Sequence, residues 1–399
     1  MDSLAFIAGG ATVREFALTT MRWKYFQTLR SALLRLPIEW RERRRWRDAA
    51  AAGRNARVFF GFDRLPAAAT LSGGLVKVID LQTAFPNCPR GANILYLISS
   101  ALPVCAERMA RRARAAGAKV VLNQNGVAYP GWHGAGWERT NRPMADLLRH
   151  ADYVFYQSRF CRESANRFAH ARTDASEILY NPVDTRLFTP APRDPAPGAL
   201  VCLLAGSHEF LYRVQVAVDT VARLRAAIPS ARLCIAGRYT WRPHESEALA
   251  ELRAYIARQG LTDAVEIRGA FAPHDAAALL QSAHILLHTK YNDPSPRLVV
   301  EAMACGLPVV YSATGGTPEL VGADAGVGVP GPRDWERDHP PAPEALAAAL
   351  ATVAGGRERY ARAARARAAA SLDVQPWLER HRTVFAALLA PAPAEGRVA

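Results

Sequence analysis

Two carboxylates, Asp293 and Glu301, stand with seven residues between them in the segment HTKYNDPSPRLVVEAMACGLPVVYSATGGTPELVG, His288 to Gly322. The pattern reads as a strand, an acidic turn, a helix opening near Arg297, a second strand and a Gly-Gly turn before a short helix. Two helix N-termini then face the carboxyl edge of one sheet, where their free N–H groups and dipoles favour a phosphate. Asp293, in the turn, is placed to hold sugar hydroxyls. Glu301, one turn into the helix, is placed to accept hydrogen bonds from a ribose diol.

A second group lies in LNQNGVAYPGWHGAGW, Leu122 to Trp137. It combines the amides of Asn123, Gln124 and Asn125 with Tyr129, Trp132, His133 and Trp137. Sugar-binding clefts use amides for hydroxyls and aromatic faces for pyranose rings. Upstream, LSGGLVKV places Gly73 and Gly74 where backbone can approach a ligand closely. His150, His170 and His284 read as structural or exposed.

The elements that must position these groups alternate. Val58–Phe62, Ile94–Ile98, Lys119–Asn123 and Asp152–Gln157 read as buried strands, with helices over Pro103–Gly117 and Phe160–Ala169. A Pro-rich stretch, Thr189–Gly198, reads as a linker. Beyond it the rhythm restarts, with strands at Leu200–Ala205, Arg232–Ala236, Val265–Arg268, Ile285–Thr289 and Pro308–Ser312. Helices fall between them at Val214–Ala227, Glu245–Arg258, Asp275–Ser282 and Leu298–Cys305. Alternation of this kind implies parallel sheets covered on both faces. The expected organisation is a basic extension over 1–56, a first α/β domain over 57–190, a second over 191–373, and a terminal helix with tail over 374–399.

Composition narrows the classes. A chain of 399 residues with 50% hydrophobic content can bury two cores. No apolar run reaches membrane-spanning length, and Met1 to Gly10 lacks the basic start of a secretory signal. The expected location is the cytoplasm, peripheral on the inner face of the plasma membrane. Six scattered cysteines give no metal spacing, and no D-x-D pair suggests a metal; none is expected. The net charge of +14 favours anionic partners. Between residues 13 and 57, aromatics and leucines precede Arg41, Arg43, Arg44, Arg45 and Arg47. That stretch reads either as a helix lying on an anionic membrane or as one packed on the protein with a solvated basic face.

The Asp293–Glu301 segment, with its EAMACGLPVV run and GGTPELV turn, resembles the signature of glycosyltransferase family 4. NPVDTRLFTP, Asn181 to Pro190, and ADYVFYQSRF, Ala151 to Phe160, resemble further marks of that family. The resemblance covers most of Val58 to Leu389 and is most specific in the C-terminal half. It implies a GT-B fold: α/β, two Rossmann-like doubly wound domains facing across a cleft. It implies transfer of a hexose from a nucleotide-diphosphate sugar to a glycan or lipid-linked acceptor, with retention and without a cofactor. By the same resemblance Asp293, Glu301 and Asn125 are the catalytic candidates, Asn125 standing where many members carry a functional His. Arg213, Lys290, Arg297, Gly316, Thr317 and Gly74 are the donor contacts, and His133 and Trp132 lie on the acceptor side. The terminal segment Gln375–Leu389 resembles the helix that crosses back to the first domain.

The chain departs from the family pattern in three places. Asp293 replaces a Glu, Ser295-Pro296 replaces a Phe-Gly pair, and Ser207-His208 follows Gly206 where a phosphate-binding Arg is usual. These departures keep a second reading open, a GT-B-like nucleotide-sugar-binding protein without catalysis. A nucleic-acid-binding reading finds no recognition motif, and no nucleic-acid partner is expected.

Overall fold

The computed structural model describes residues 42, 44–46, 53–65 and 73–391. Most of the expected basic extension therefore lies outside the described residues. Of its arginine run, Arg45 is described and buried, its guanidinium 4.0 Å from the Phe59 ring centroid and paired with Glu42 and Asp63. Trp46 packs beside it on the same ring.

The first sheet holds five parallel strands in chain order: β1 (Val58–Phe59), β2 (Ile94–Ile98), β3 (Lys119–Gln124), β4 (Tyr153–Tyr156) and β5 (Ser176–Ile178). Every residue of β2 is buried, as both-face burial requires of a parallel sheet. One face carries α2 (Ala106–Ala115), α4 (Trp137–His150) and α5 (Arg159–Phe168), which enclose Phe59, Leu95, Leu97 and Val120. A single turn, α3 (Pro130–His133), precedes α4. The other face carries α1 (Gly73–Gln82). Because α1 joins β1 to its neighbour from the opposite face, that crossover has the opposite hand to the three that follow. The glycine pair thus opens a helix rather than a loop, because Val78 and Leu81 recur at helical spacing and are both buried.

The second sheet has the order β8-β7-β6-β9-β10-β11, all parallel. Its strands are β6 (Leu200–His208), β7 (Ala231–Tyr239), β8 (Val265–Arg268), β9 (Ile285–His288), β10 (Val309–Ser312) and β11 (Gly326–Val329). The intervening helices are α6 (Leu211–Leu224), α7 (Glu245–Arg258), α8 (Ala276–Gln281), α9 (Arg297–Ala304) and α10 (Thr317–Val321). The winding reverses between β6 and β9, and a doubly wound sheet binds ligands at the carboxyl edge of that reversal. After β11 come α11 (Pro343–Gly355), α12 (Arg357–Ser371) and α13 (Val374–Leu389). α13 returns to the first sheet, where Trp377, Leu378, Val384 and Phe385 close the core over Val58, Tyr96 and Phe155.

Four of the six cysteines are buried and none is in a disulfide. Among the described residues no helix is long and apolar enough to cross a membrane.

Candidate active site

At the reversal point, β9 delivers His288 and the following turn delivers Lys290 and Asp293. Asp293 is buried, its Oδ2 lying 3.2 Å from His288 Nε2 and 3.6 Å from Lys290 Nζ. Burial opposes its charge, yet Lys290, His288 and the Arg213 guanidinium hold the carboxyl well below the usual range. His288 is pushed down by burial, with Asp293 pulling the other way. Across the edge, α6 presents Arg213, only 4% exposed. Its Nη1 donates to Ser207 O at 2.6 Å, while Nε is buried without a partner. Beside it His208 is pushed down to about 3 by burial, and its Nδ1 also lacks a partner. A buried, half-satisfied guanidinium facing a carboxylate is a costly arrangement that an anionic ligand would complete. A cavity of about 350 Å³ opens beside this edge, over β7 and β8, lined by Ala236, Arg268, Gly269, Phe271 and Asp275.

Arg297 and Glu301, both on α9, pair with each other, and Arg297 pairs also with the first domain. Arg297 Nε donates to Glu301 Oε1 and Nη1 donates to Asp80 Oδ2 on α1, both at 2.8 Å. Burial works against the Arg297 cation, but Asp80 and Glu301 more than offset it and raise its pKa. Glu301 is raised by burial while Arg297 opposes the shift. This is an ion triad of Arg297, Glu301 and Asp80 across the domain boundary.

Gly316 and Gly74 lie close to neighbouring backbone and side chains. The Gly316 N–H donates to Asp293 O at 2.8 Å, and a Cβ there would collide with Pro294 O and Ser158. Its neighbour Thr317 keeps a buried Oγ1 with no partner. At Gly74 a Cβ would stand 2.5 Å from Ser100 Oγ, so the close approach this glycine allows is to the turn after β2.

From the first domain, Asn125 is half-buried, and its Oδ1 accepts from Gly126 N at 2.9 Å. The Asn125 N–H donates to Ser99 Oγ at 2.8 Å. The aromatics of that loop are mostly spent on packing: Tyr129 is buried against Trp335, and Trp137 packs edge-on to Phe168. Trp132 stays 39% exposed, and His133 Nε2 is 2.9 Å from Thr140 Oγ1.

Several residues that carry the junction escaped the sequence reading. Lys77 on α1 is buried, its Nζ donating at 3.1 Å to both Asn123 Oδ1 and Asn181 Oδ1. Burial lowers its pKa to about 7, with Arg297 adding to the effect. Asn181 Nδ2 donates to Ser295 O and Oγ, and Ser158 Oγ donates to Pro294 O at 2.7 Å. Glu319 on α10 accepts from Arg159 N and Phe160 N, capping α5 across the boundary. The available signal was scarcity. In a chain with four lysines, one sits inside an apolar helix, which marks it as partnered.

Two parallel α/β sheets facing across a polar junction, with the last helix returned to the first domain, define the GT-B architecture. Residues 195–367 match the family model described as glycosyl transferases group 1. That agrees with the resemblance carried by the Asp293–Glu301 segment. The D-inositol 3-phosphate glycosyltransferase of Streptomyces bingchenggensis is 30% identical over 165 residues, covering 40% of this chain and 36% of that protein. The phosphatidylinositol N-acetylglucosaminyltransferase gpi3 subunit of Schizosaccharomyces pombe is 23% identical over 209 residues, covering 52% and 44%. The chain thus spans less than half the length of these relatives. Anabaena Alr3699/HepE, solved in complex with UDP and glucose, shares the fold with a TM-score of 0.61 at 22% identity, covering 82% of this chain and 84% of that one.

Proposed function

We propose that the chain is a glycosyltransferase that moves a hexose from a nucleotide-diphosphate sugar to a glycan or lipid-linked acceptor. The observation that carries this is Arg213, a buried guanidinium with an unpartnered Nε at the reversal point of the second sheet, whose edge also carries a cavity of about 350 Å³ over β7 and β8. The base would lie over β7 and β8, and the diphosphate would complete Arg213, with Lys290 nearby. A fixed cation in a water-poor site stabilises charge as it develops on the leaving diphosphate, with no reorganisation at the moment of reaction. Asp293, held ionised, would orient the sugar. Asn125 would approach from the first domain, Trp132 would lie on the acceptor side, and the family resemblance favours retention. Exposed Arg111, Arg114, Arg142 and Arg149 on the adjacent α2 and α4 support an anionic surface as the site of the acceptor.

The test is a thermal-shift and calorimetry series with UDP, GDP and ADP on the wild type and Arg213→Met. One nucleotide at a hundred times its Kd should stabilise the wild type by about 2.7 kcal/mol, and the variant should lose that gain. A wild type indifferent to all three nucleotides would sink the donor reading. Binding of a nucleotide sugar without transfer or hydrolysis, across several acceptors, would leave a binding protein instead.

A further inference from the structure

Between β11 and α11 the chain makes a loop, residues 330–342, that spans the cleft. Its Trp335 is buried in the first domain, with ring centroids 4.9 Å from Phe160 and from Tyr129, and 5.2 Å from Phe168. Gly131 N donates to Trp335 O at 2.7 Å, and Arg333 pairs with Glu163. The same loop is tied to the turn that carries Asp293. Tyr291 donates to Pro332 O at 2.7 Å, and Asn292 Nδ2 donates to Asp334 O at 3.1 Å.

The loop's two aspartates face different surroundings. Asp334 is turned into the loop, accepting from Glu336 N and pairing with His339 at 2.7 Å. Asp338 lies among Lys290, Tyr129, Tyr212 and Tyr291, with His339 nearby, and its Oδ1 is buried without a hydrogen-bond partner. Burial raises its carboxyl to about 6, against the pull of Lys290 and His339, so it is ionised at pH 7.5. Asn292 Oδ1 is a second buried acceptor without a partner.

Buried polar atoms without partners are uncommon in folded proteins. Around this site they include Arg213 Nε, a donor, with His208 Nδ1 beside it on the β6–α6 wall, and two acceptors, Asp338 Oδ1 on loop 330–342 and Asn292 Oδ1 in the turn tied to that loop. A phosphate needs donors, and a hydroxyl-rich ring needs acceptors. We propose that Asp338, carried across the cleft by loop 330–342, is a specificity-determining residue that accepts hydrogen bonds from hydroxyls of a neutral donor sugar. Its charge disfavours a donor sugar bearing a carboxylate of its own. The inference rests on the donor reading above and narrows its substrate class to uncharged hexoses.

The experiment is isothermal titration at pH 7.5 of the full chain with UDP-glucose against UDP-glucuronate and GDP-mannose against GDP-mannuronate. Wild type, Asp338→Asn and the control Asp334→Asn are compared. Removing a negative charge beside Lys290 strengthens every nucleotide alike, so the readout is the neutral-to-acidic ratio within each pair. The wild type should favour the neutral sugar by tenfold or more in the pair it binds. Asp338→Asn should cut that ratio by about tenfold, the scale of one charge-assisted hydrogen bond, and Asp334→Asn should leave it unchanged. An equal ratio in wild type and Asp338→Asn overturns the proposal while the donor site stands. No binding by any of the four, nor by ADP-glucose, overturns the donor reading, and this one with it.

Discussion

Replacing Arg297 by Met tests whether this arginine is a strut between domains or a ligand for phosphate. The substitution keeps the length of the side chain and removes two charge-assisted hydrogen bonds of 2.8 Å, to Asp80 and Glu301. Breaking a buried ion pair from one side costs about 3–5 kcal/mol, because the partner charges stay buried. The side chains of Asp80 and Glu301 retain 19% and 13% exposure, which puts the expected loss near the lower end, about 3 kcal/mol. For domains of roughly 200 residues that lowers the melting midpoint by about 6–12 °C. The loss should also depend on pH in a defined direction. Burial already raises the Glu301 carboxyl, and without Arg297 nothing opposes that shift. A carboxyl whose folded pKa lies above its unfolded value destabilises the fold at high pH, and the deficit fades as pH falls and the group takes up its proton. Thermal melts of wild type and variant at pH 8, 7 and 5 should therefore converge toward acid. Asp80→Asn added to Arg297→Met should recover part of the loss. If the variant melts with the wild type at pH 8 but no longer responds to any nucleotide, the strut argument is wrong and Arg297 is a phosphate ligand.

Two further outcomes follow from the same junction. Lys77 has a folded pKa lowered from 10.5 to about 7, so the unfolded chain binds its proton more tightly; stability should rise with pH between about 7 and 10 through this group. Melting points across that window should show the rise in the wild type and a flatter profile in Lys77→Met. Trp335→Ala removes a buried indole from the cluster of Tyr129, Phe160 and Phe168, at a cost of about 3 kcal/mol measured by thermal or urea unfolding. A loss under about 1 kcal/mol would mean that the loop does not hold the domains together.

Most of the second domain was legible because its strands are apolar runs set between turn signals. Val265–Arg268 and Glu245–Arg258 fall where the periodicity put them, and the other elements shift by a few residues at their ends. The first domain was less legible where glycine and aromatic residues served packing. Gly74 accommodates Ser100, and Tyr129 and Trp137 fill an aromatic cluster completed by a residue some two hundred positions away. The site shows the same division. Asp293 and Arg213 could be singled out because a turn and a helix start after strands are local features. The commitments of Arg297 to Asp80, of Glu319 to α5 and of Asp338 to the cleft are set by tertiary approach, and no local spacing encodes them. Asp338 in particular looks like any charge in a solvated loop until Trp335 fixes where that loop goes.

The return of α13 to the first sheet sets an order on biosynthesis. A chain emerging from the ribosome forms its early domains first. Here the sheet built from Val58 to Ile178 lacks one cover until Trp377, Leu378 and Phe385 have been made. Its exposed face, with Phe60, Tyr96 and Phe155, must wait through the synthesis of the entire second domain, which can close its own core sooner. The nascent protein therefore carries an apolar surface that chaperones would shield. A truncation near residue 374 would injure the domain at the other end of the sequence while leaving the neighbouring one able to fold.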